Sequence, residues 1–121
     1  MSVLVAVTGS AEGMAALEAA ANEADLLNVQ LTVVNLTGSD LDTSSIATEV
    51  PYEVVVPQAG SDVDEVEQVL AAIEERSEVT RLVVGVRKSS PIGKAVLGSI
   101  AQRLILEATV PVLSVKTSDG I

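Results

Sequence analysis

Three cations, Arg87, Lys88 and Lys94, cluster in a chain that has only seven Lys and Arg residues against 17 Asp and Glu. They sit among small residues, in the segment Gly85-Val86-Arg87-Lys88-Ser89-Ser90-Pro91-Ile92-Gly93-Lys94, which leads on to Gly98-Ser99. Glycine lets main-chain N–H groups approach a ligand closely, and a helix that starts at the end of such a segment adds the positive end of its dipole. The chemistry this predicts is capture of an anion by backbone amides, with Arg and Lys charge nearby. Thr8-Gly9-Ser10, directly after an apolar run, is a second small turn, and it carries two hydroxyls.

Composition narrows what such a site can do. The chain has no Cys and no His, which excludes disulfides, thiol chemistry, thiolate metal sites and imidazole acid/base catalysis. Any metal would have to bind through carboxylates or carbonyls. A net charge of −10 argues against nucleic-acid or anionic-membrane partners, which most of the surface would repel. The charge is also segregated, because residues 1–75 contain no Lys or Arg and most of the acidic residues. Met1-Ser2 leads straight into Val3-Leu4-Val5-Ala6-Val7 with no basic n-region. No apolar stretch approaches the roughly 20 residues needed to cross a bilayer, so a cytoplasmic protein is expected. With 121 residues and 48% hydrophobic content, residues 1–121 are expected to close one core as one domain.

The elements that must position these turns alternate between strand and helix patterns. Residues 3–7 are short and β-branched, as in a strand buried on both faces. Ser10 is a candidate N-cap for a helix with apolar positions at Met14, Leu17, Ala20, Ala24 and Leu27. Residues 31–35 and 52–56 read as the second and third strands, with a polar stretch over 37–49 between them that is loop or at most one short helix. Ser61 with Asp64 suggests a capping box for a helix whose apolar face is Val66, Val69, Leu70 and Ile73. Residues 82–85 and 112–115 give the fourth and fifth strands, and Leu97, Ile100, Ala101, Leu104 and Ala108 mark a helix between them. The tail from Thr117 is expected to fray.

Strands separated by helices imply right-handed βαβ units. The expected fold is a single doubly wound, Rossmann-like α/β sheet of five mainly parallel strands with helices on both faces. Ligands of such sheets bind beyond the carboxyl ends of the strands, where strand order reverses. If strands two and three lie to one side of strand one, and four and five to the other, the crevice falls between Val7 and Val84. Thr8-Gly9-Ser10 and the Gly85 segment would then face each other.

Other motifs fit less well. Residues 88–95 would form a P-loop only with Gly in place of Lys88 and Ser or Thr in place of Ala95. Flavin stacking would fall to Tyr52, the one aromatic residue, and a response regulator would carry an acceptor Asp where Pro57-Gln58 stands. The acidic run Asp62, Asp64, Glu65, Glu67 reads as a solvated helix face. No residue is expected to act in dedicated catalysis. Gly98 admits two readings. Since glycine inside a helix costs about 1 kcal/mol relative to alanine, it suits a first turn facing a phosphate. Alternatively, one continuous helix begins at Ser90 with Pro91 at N1, and Gly98 only permits close packing.

Gly85, then Gly98-Ser99, an apolar helix and Pro111-Val112-Leu113-Ser114-Val115-Lys116 together resemble the C-terminal signature of the universal stress protein family, and residues 3–10 with the Ala-rich helix resemble its N-terminus. Lys88 stands where the family has a second glycine, and Thr8 where it usually has Asp. The resemblance spans the chain, and it implies strand order 3-2-1-4-5 and a homodimer formed through the last strand at Val112, Leu113, Ser114 and Val115. In one branch of the family the Gly loop holds ATP, with Mg²⁺ carried by the nucleotide. Carried onto this chain, the resemblance implies that Gly85, Lys88, Gly98 and Ser99 hold phosphates. Arg87, Lys88 and Lys94 would supply charge, while Thr8, Gly9 and Ser10 flank the nucleoside. The expectation is a stress-response regulator binding ATP or another adenine nucleotide, at most a slow ATP hydrolase. The alternative is a nucleotide-free dimeric scaffold acting through protein contacts.

Overall fold

The computed structural model describes residues 1–57, 64–88, 95–96 and 98–118. In chain order the elements are β1 (Ser2–Val7), α1 (Ala11–Leu27), β2 (Gln30–Asn35), β3 (Tyr52–Val55), α2 (Glu65–Glu75), β4 (Val79–Lys88), β5 (Ala95–Val96), α3 (Ser99–Glu107) and β6 (Val112–Ser118). The parallel strands lie in the order β3-β2-β1-β4-β6, which is 3-2-1-4-5 when the two-residue antiparallel β5 is set aside.

β1 is central, and every one of its residues is buried. Its side chains alternate between two cores, as a strand covered on both faces requires. Val3, Val5 and Val7 pack with Leu31, Val33 and Val83 under α1, which presents Ala16, Leu17, Ala20, Ala21 and Ala24. Leu4 and Ala6 pack on the other side with Leu82, Val84, Val66, Val69 and Ile73, and with Leu104 of α3. Each fully buried Val, Leu or Ile among these contributes about 1.5–3 kcal/mol relative to exposure.

α1 starts at Ser10, whose hydroxyl accepts from the Gly13 N–H at 3.3 Å. It ends at Asn28, which adopts the left-handed conformation (φ 56°). There the Asn28 N–H bonds the Asp25 carbonyl and the Val29 N–H the Ala24 carbonyl, a Schellman arrangement in which Asn tolerates positive φ. Small residues let the first turn of α1 press onto the sheet. A Cβ on Gly13 would lie 2.8 Å from the Thr8 nitrogen, and one on Gly85 would lie 2.6 Å from the Glu12 carbonyl carbon.

Several boundaries differ from the sequence reading. β4 does not stop at Gly85 but runs to Lys88, because β6 pairs along it from Leu82↔Val112 to Lys88↔Ser118. Gly85 is therefore a strand residue, required by its contact with α1 and not by a turn. β6 likewise continues to Ser118, past the expected fraying point, and β3 ends at Val55. The N-cap of α2 is Asp64, whose carboxylate accepts from the Glu67 N–H at 2.8 Å; Ser61 lies outside the described residues. Met14 is 37% exposed, and the buried stripe of α1 instead passes through Gly13, Ala16 and Ala21. The long helix from Ser90 and Pro91 does not form, since residues 95–96 are strand and Gly98 is the extended N-cap of α3. Ser90, Pro91, Leu97 and residues 119–121 lie outside the described residues.

Candidate functional site

The reversal of strand order opens a gap. β1 pairs with β4 as far as Val5↔Val83, yet it stays paired with β2 to Val7↔Asn35 while β4 stays paired with β6 to Lys88. Beyond Val5 and Val83 the two halves of the sheet diverge. The N-terminal turn of α3 and the turn after β1 border the opening.

The resulting pocket has a volume of about 240 Å³ and is bordered by Thr8, Ser10, Glu12, Gly85, Gly98, Ser99, Ile100 and Ala101. A narrow recess shares Thr8, Gly85, Ile100 and Ala101, and adds Ala6, Val84 and Leu104 as apolar lining. Five positions anticipated from the sequence, Thr8, Ser10, Gly85, Gly98 and Ser99, therefore meet at one pocket. Gly9 does not border it, and the position of its missing Cβ is 3.8 Å from Thr37. Arg87 is exposed near the end of β4. Lys88 closes that strand, with Ala95 on one side and Ser118 on the other, so its main chain lies within the sheet. Lys94 lies outside the described residues. Val112, Leu113, Ser114 and Val115 fall on β6, away from the pocket.

The α3 wall is a donor surface. In the first turn of a helix the N–H groups have no intrahelical acceptor, and Ser99, Ile100 and Ala101 are the first three residues of α3. Gly98 provides no side-chain cap, and the first turn carries no acidic residue. Both α1 and α2, by contrast, have a capping side chain and an acidic first turn. Gly98 itself has φ −65° and ψ 162°, a conformation open to any residue. Nothing lies within 4 Å of where its Cβ would be. The fold thus makes no demand for glycine at this position, unlike position 85.

On the opposite wall the Thr8 and Ser10 hydroxyl oxygens are 2.7 Å apart. Because Ser10 Oγ already accepts from the Gly13 amide, it can donate its proton to Thr8, leaving the Thr8 O–H to turn toward the pocket. Ile100, Ala101 and Glu12 were not singled out in the sequence. Apolar periodicity assigns Ile100 and Ala101 to a core face and hides the role of their amides, while Glu12 reads as an ordinary first-turn acid.

A parallel sheet wound in this order, with a crevice at its reversal point, defines a Rossmann-like class of ligand-binding α/β fold. The universal stress protein family model matches residues 42–116. A universal stress protein of Mycolicibacterium smegmatis is 33% identical over 129 residues, covering 94% of this chain and 96% of its own. Among solved structures, the universal stress protein from Archaeoglobus fulgidus is similar with a TM-score of 0.73 and 29% identity, over 96% of this chain and 98% of that one. A universal stress protein from Archaeoglobus fulgidus in complex with dAMP is similar with a TM-score of 0.67 and 25% identity, at the same coverage of both chains. The chain belongs to the universal stress protein family. Among the described residues no helix is long and apolar enough to cross a membrane.

Proposed function

We propose that this protein binds an adenine nucleotide, ATP included, in the crevice between β1 and β4 and acts as a stress-response regulator. The observation that carries the reading is the uncapped N-terminus of α3, where Gly98 leaves open space and the first-turn residues Ser99, Ile100 and Ala101 border the pocket. Phosphate oxygens accept from those amides, where the helix dipole also favours negative charge. Arg87, Lys88 and Lys94 would supply positive charge, and Thr8 and Ser10 flank the nucleoside with Gly9 between them in sequence. When a triphosphate binds, Mg²⁺ carried by the nucleotide offsets part of its charge. The similar structure that holds dAMP supports an adenine ligand. Without His or Cys, ATP turnover is at most slow.

Gly98→Val tests this reading, because the fold leaves room for the side chain and a bound phosphate does not. Calorimetry with ATP and Mg²⁺ should show binding to the parent and at least a tenfold loss, about 1.4 kcal/mol, in the variant. Equal affinity, or no binding to either protein, would overturn the proposal. Lys88 at a family glycine position favours the second reading, a nucleotide-free dimeric scaffold, which no binding to either protein would support.

Homodimerisation through β6 belongs to the same proposal. Among the described residues β6 pairs with β4 alone, and Leu113 on it is 41% exposed. Such an edge is an invitation to pairing, and two copies around a twofold axis would satisfy both edges. Light scattering should show a dimer for the parent and a monomer for Leu113→Lys; a monomeric parent would contradict the assignment.

A further inference from the structure

We infer that the β3 edge of the sheet, on the far side from β6, docks an extended, cation-bearing peptide segment of another protein, which adds to the sheet as a short further strand. The inference is independent of the nucleotide reading. Among the described residues β3 pairs with β2 alone. The Leu31 N–H donates to the Pro51 carbonyl at 2.9 Å, and Leu31 stands opposite Tyr52. Successive residues of a strand turn their main-chain polar groups to opposite edges. Glu53 and Val55 therefore face β2 as Pro51 does, while Tyr52 and Val54 turn N–H and C=O outward. No backbone hydrogen bond reaches those outward groups among the described residues. Such a row of open donors and acceptors is the template that strand addition uses.

Both faces beside this edge offer apolar surface. Tyr52, Val54 and Val56 are exposed. On the α2 side lies a groove of about 300 Å³, bordered by Val34, Val55, Ala71 and Ala72 together with Glu75 and Arg76. An added strand would send alternate side chains into this groove and the others over Tyr52 and Val54. Charge identifies the occupant. Residues 1–75 hold no Lys or Arg, and Arg76 is already engaged, with Nε 2.8 Å from Glu53 and Nη1 3.7 Å from Glu75. One cation against two carboxylates leaves the groove negative. Asp42 adjoins Thr43, whose hydroxyl accepts from the Tyr52 O–H at 3.3 Å, and Glu49 lies three residues before β3; both acids are exposed. A second copy docked on the same edge would set Glu49 and Glu53 against their own kind, which destabilises a strand pair. A segment with aliphatic residues toward the groove and lysine or arginine on its other face fits both surfaces, because long cationic stems cover apolar side chains while their charged ends reach carboxylates. β3 has four residues, a length of about 13 Å, so the contact is short and reversible.

The probe is an acetylated, amidated hexapeptide of alternating valine and lysine, titrated into the full chain. Tyr52 is the only aromatic residue, so its fluorescence reports on this edge, and amide NMR spectra locate the contact. Saturable changes at Tyr52 and Val54 are expected, with affinity falling at least about threefold in about 0.5 M NaCl. The glutamate counterpart, and the fully N-methylated peptide, which has no N–H to donate, should not bind. Val54→Pro removes an outward N–H without touching the bonds to β2 and should weaken binding at least about fivefold. Ala71→Arg, at an exposed position of α2, fills the groove with a cation and should do the same with β3 unaltered. No response of the parent overturns the inference, as does equal binding of the glutamate or N-methylated peptide, a contact located elsewhere, or undiminished binding by either variant. Shifts of the β3 amides that depend on protein concentration, without peptide, would assign the edge to a second copy and overturn it too. Each of these outcomes leaves the nucleotide reading untouched.

Discussion

Gly85 and Gly98 both belong to the motif that suggests anion binding, yet the structure gives them opposite mechanical roles, and alanine at each position separates these. At position 85 a Cβ would overlap the Glu12 carbonyl oxygen and lie 2.6 Å from the carbonyl carbon. Ordinary carbon contacts begin near 3.4 Å, so α1 and β4 would have to part by roughly 1 Å. Both obstacles are main chain and cannot rotate away. Overpacking of this kind costs about 1–3 kcal/mol, and the rigid neighbours place this case at about 3. An unfolding entropy of about 2.1 cal/mol/K per residue over 121 residues turns that into a Tm lowered by about 12 °C. At position 98 nothing lies within 4 Å and the backbone suits alanine. There the loss of unfolded-state freedom, about 0.4–1 kcal/mol in favour of alanine, offsets the slightly poorer N-cap. Gly98→Ala should match the parent within about 0.5 kcal/mol. Urea titration of the three proteins, with ΔG from linear extrapolation, measures both values. A Gly85→Ala protein as stable as the parent would refute the close approach of α1 to β4. A Gly98→Ala protein as damaged as Gly85→Ala would refute the claim that the fold leaves position 98 open.

Asn35 is buried, and its side chain accepts from the Thr37 N–H at 3.0 Å and the Thr37 hydroxyl at 2.6 Å and donates to the Ser39 carbonyl at 2.8 Å. Asn35→Ala removes all three bonds and should destabilise by about 2 kcal/mol, read as a shift of the urea midpoint with an unchanged slope. The Arg103 guanidinium, hydrogen-bonded to Asp64 at 2.8 Å, and then the Glu67 amide hold the Asp64 carboxyl below its usual pKa of 3.8. A depressed folded-state value means that the ionised form favours folding. The contribution is complete above 3.8 and disappears as pH falls from there through the lower folded value. Asp64→Asn, which keeps a capping oxygen, should therefore lose less stability than the parent on acidification below pH 3.8 in thermal melts; parallel losses would contradict this.

The winding of the sheet was legible because each strand of the central region is a short apolar run buried on two faces, a pattern few other folds produce. Ser10 as a helix cap and Gly98 as the edge of a first turn were legible from local chemistry. The extension of β4 through Gly85 was not. Glycine punctuates structure locally, and only the packing of Glu12 against that strand, across more than half the chain, gives it another reason to be there. The same holds for Met14: helical spacing counts it as apolar, but the surface that α1 presses on the sheet is built from alanine and glycine around the single Leu17. The α3 amides carry no sequence signal of their own, since every residue except proline has one. What exposes them is the absence of a cap, which becomes visible once the start of the helix is fixed.

The pocket walls come from segments far apart in sequence, residues 8–12 on one side and residues 98–101 on the other, with Gly85 of β4 between them in the chain. No fragment that stops before α3 can present it, so the cavity comes into being only once residues 98–101 are made and α3 has packed onto the sheet. A ligand held there would recognise the folded domain and not its folding intermediates. It would add stability as RT ln(1 + [L]/Kd). Cellular ligand concentration would in that way set how long the folded domain survives proteolysis, apart from any signal it passes on.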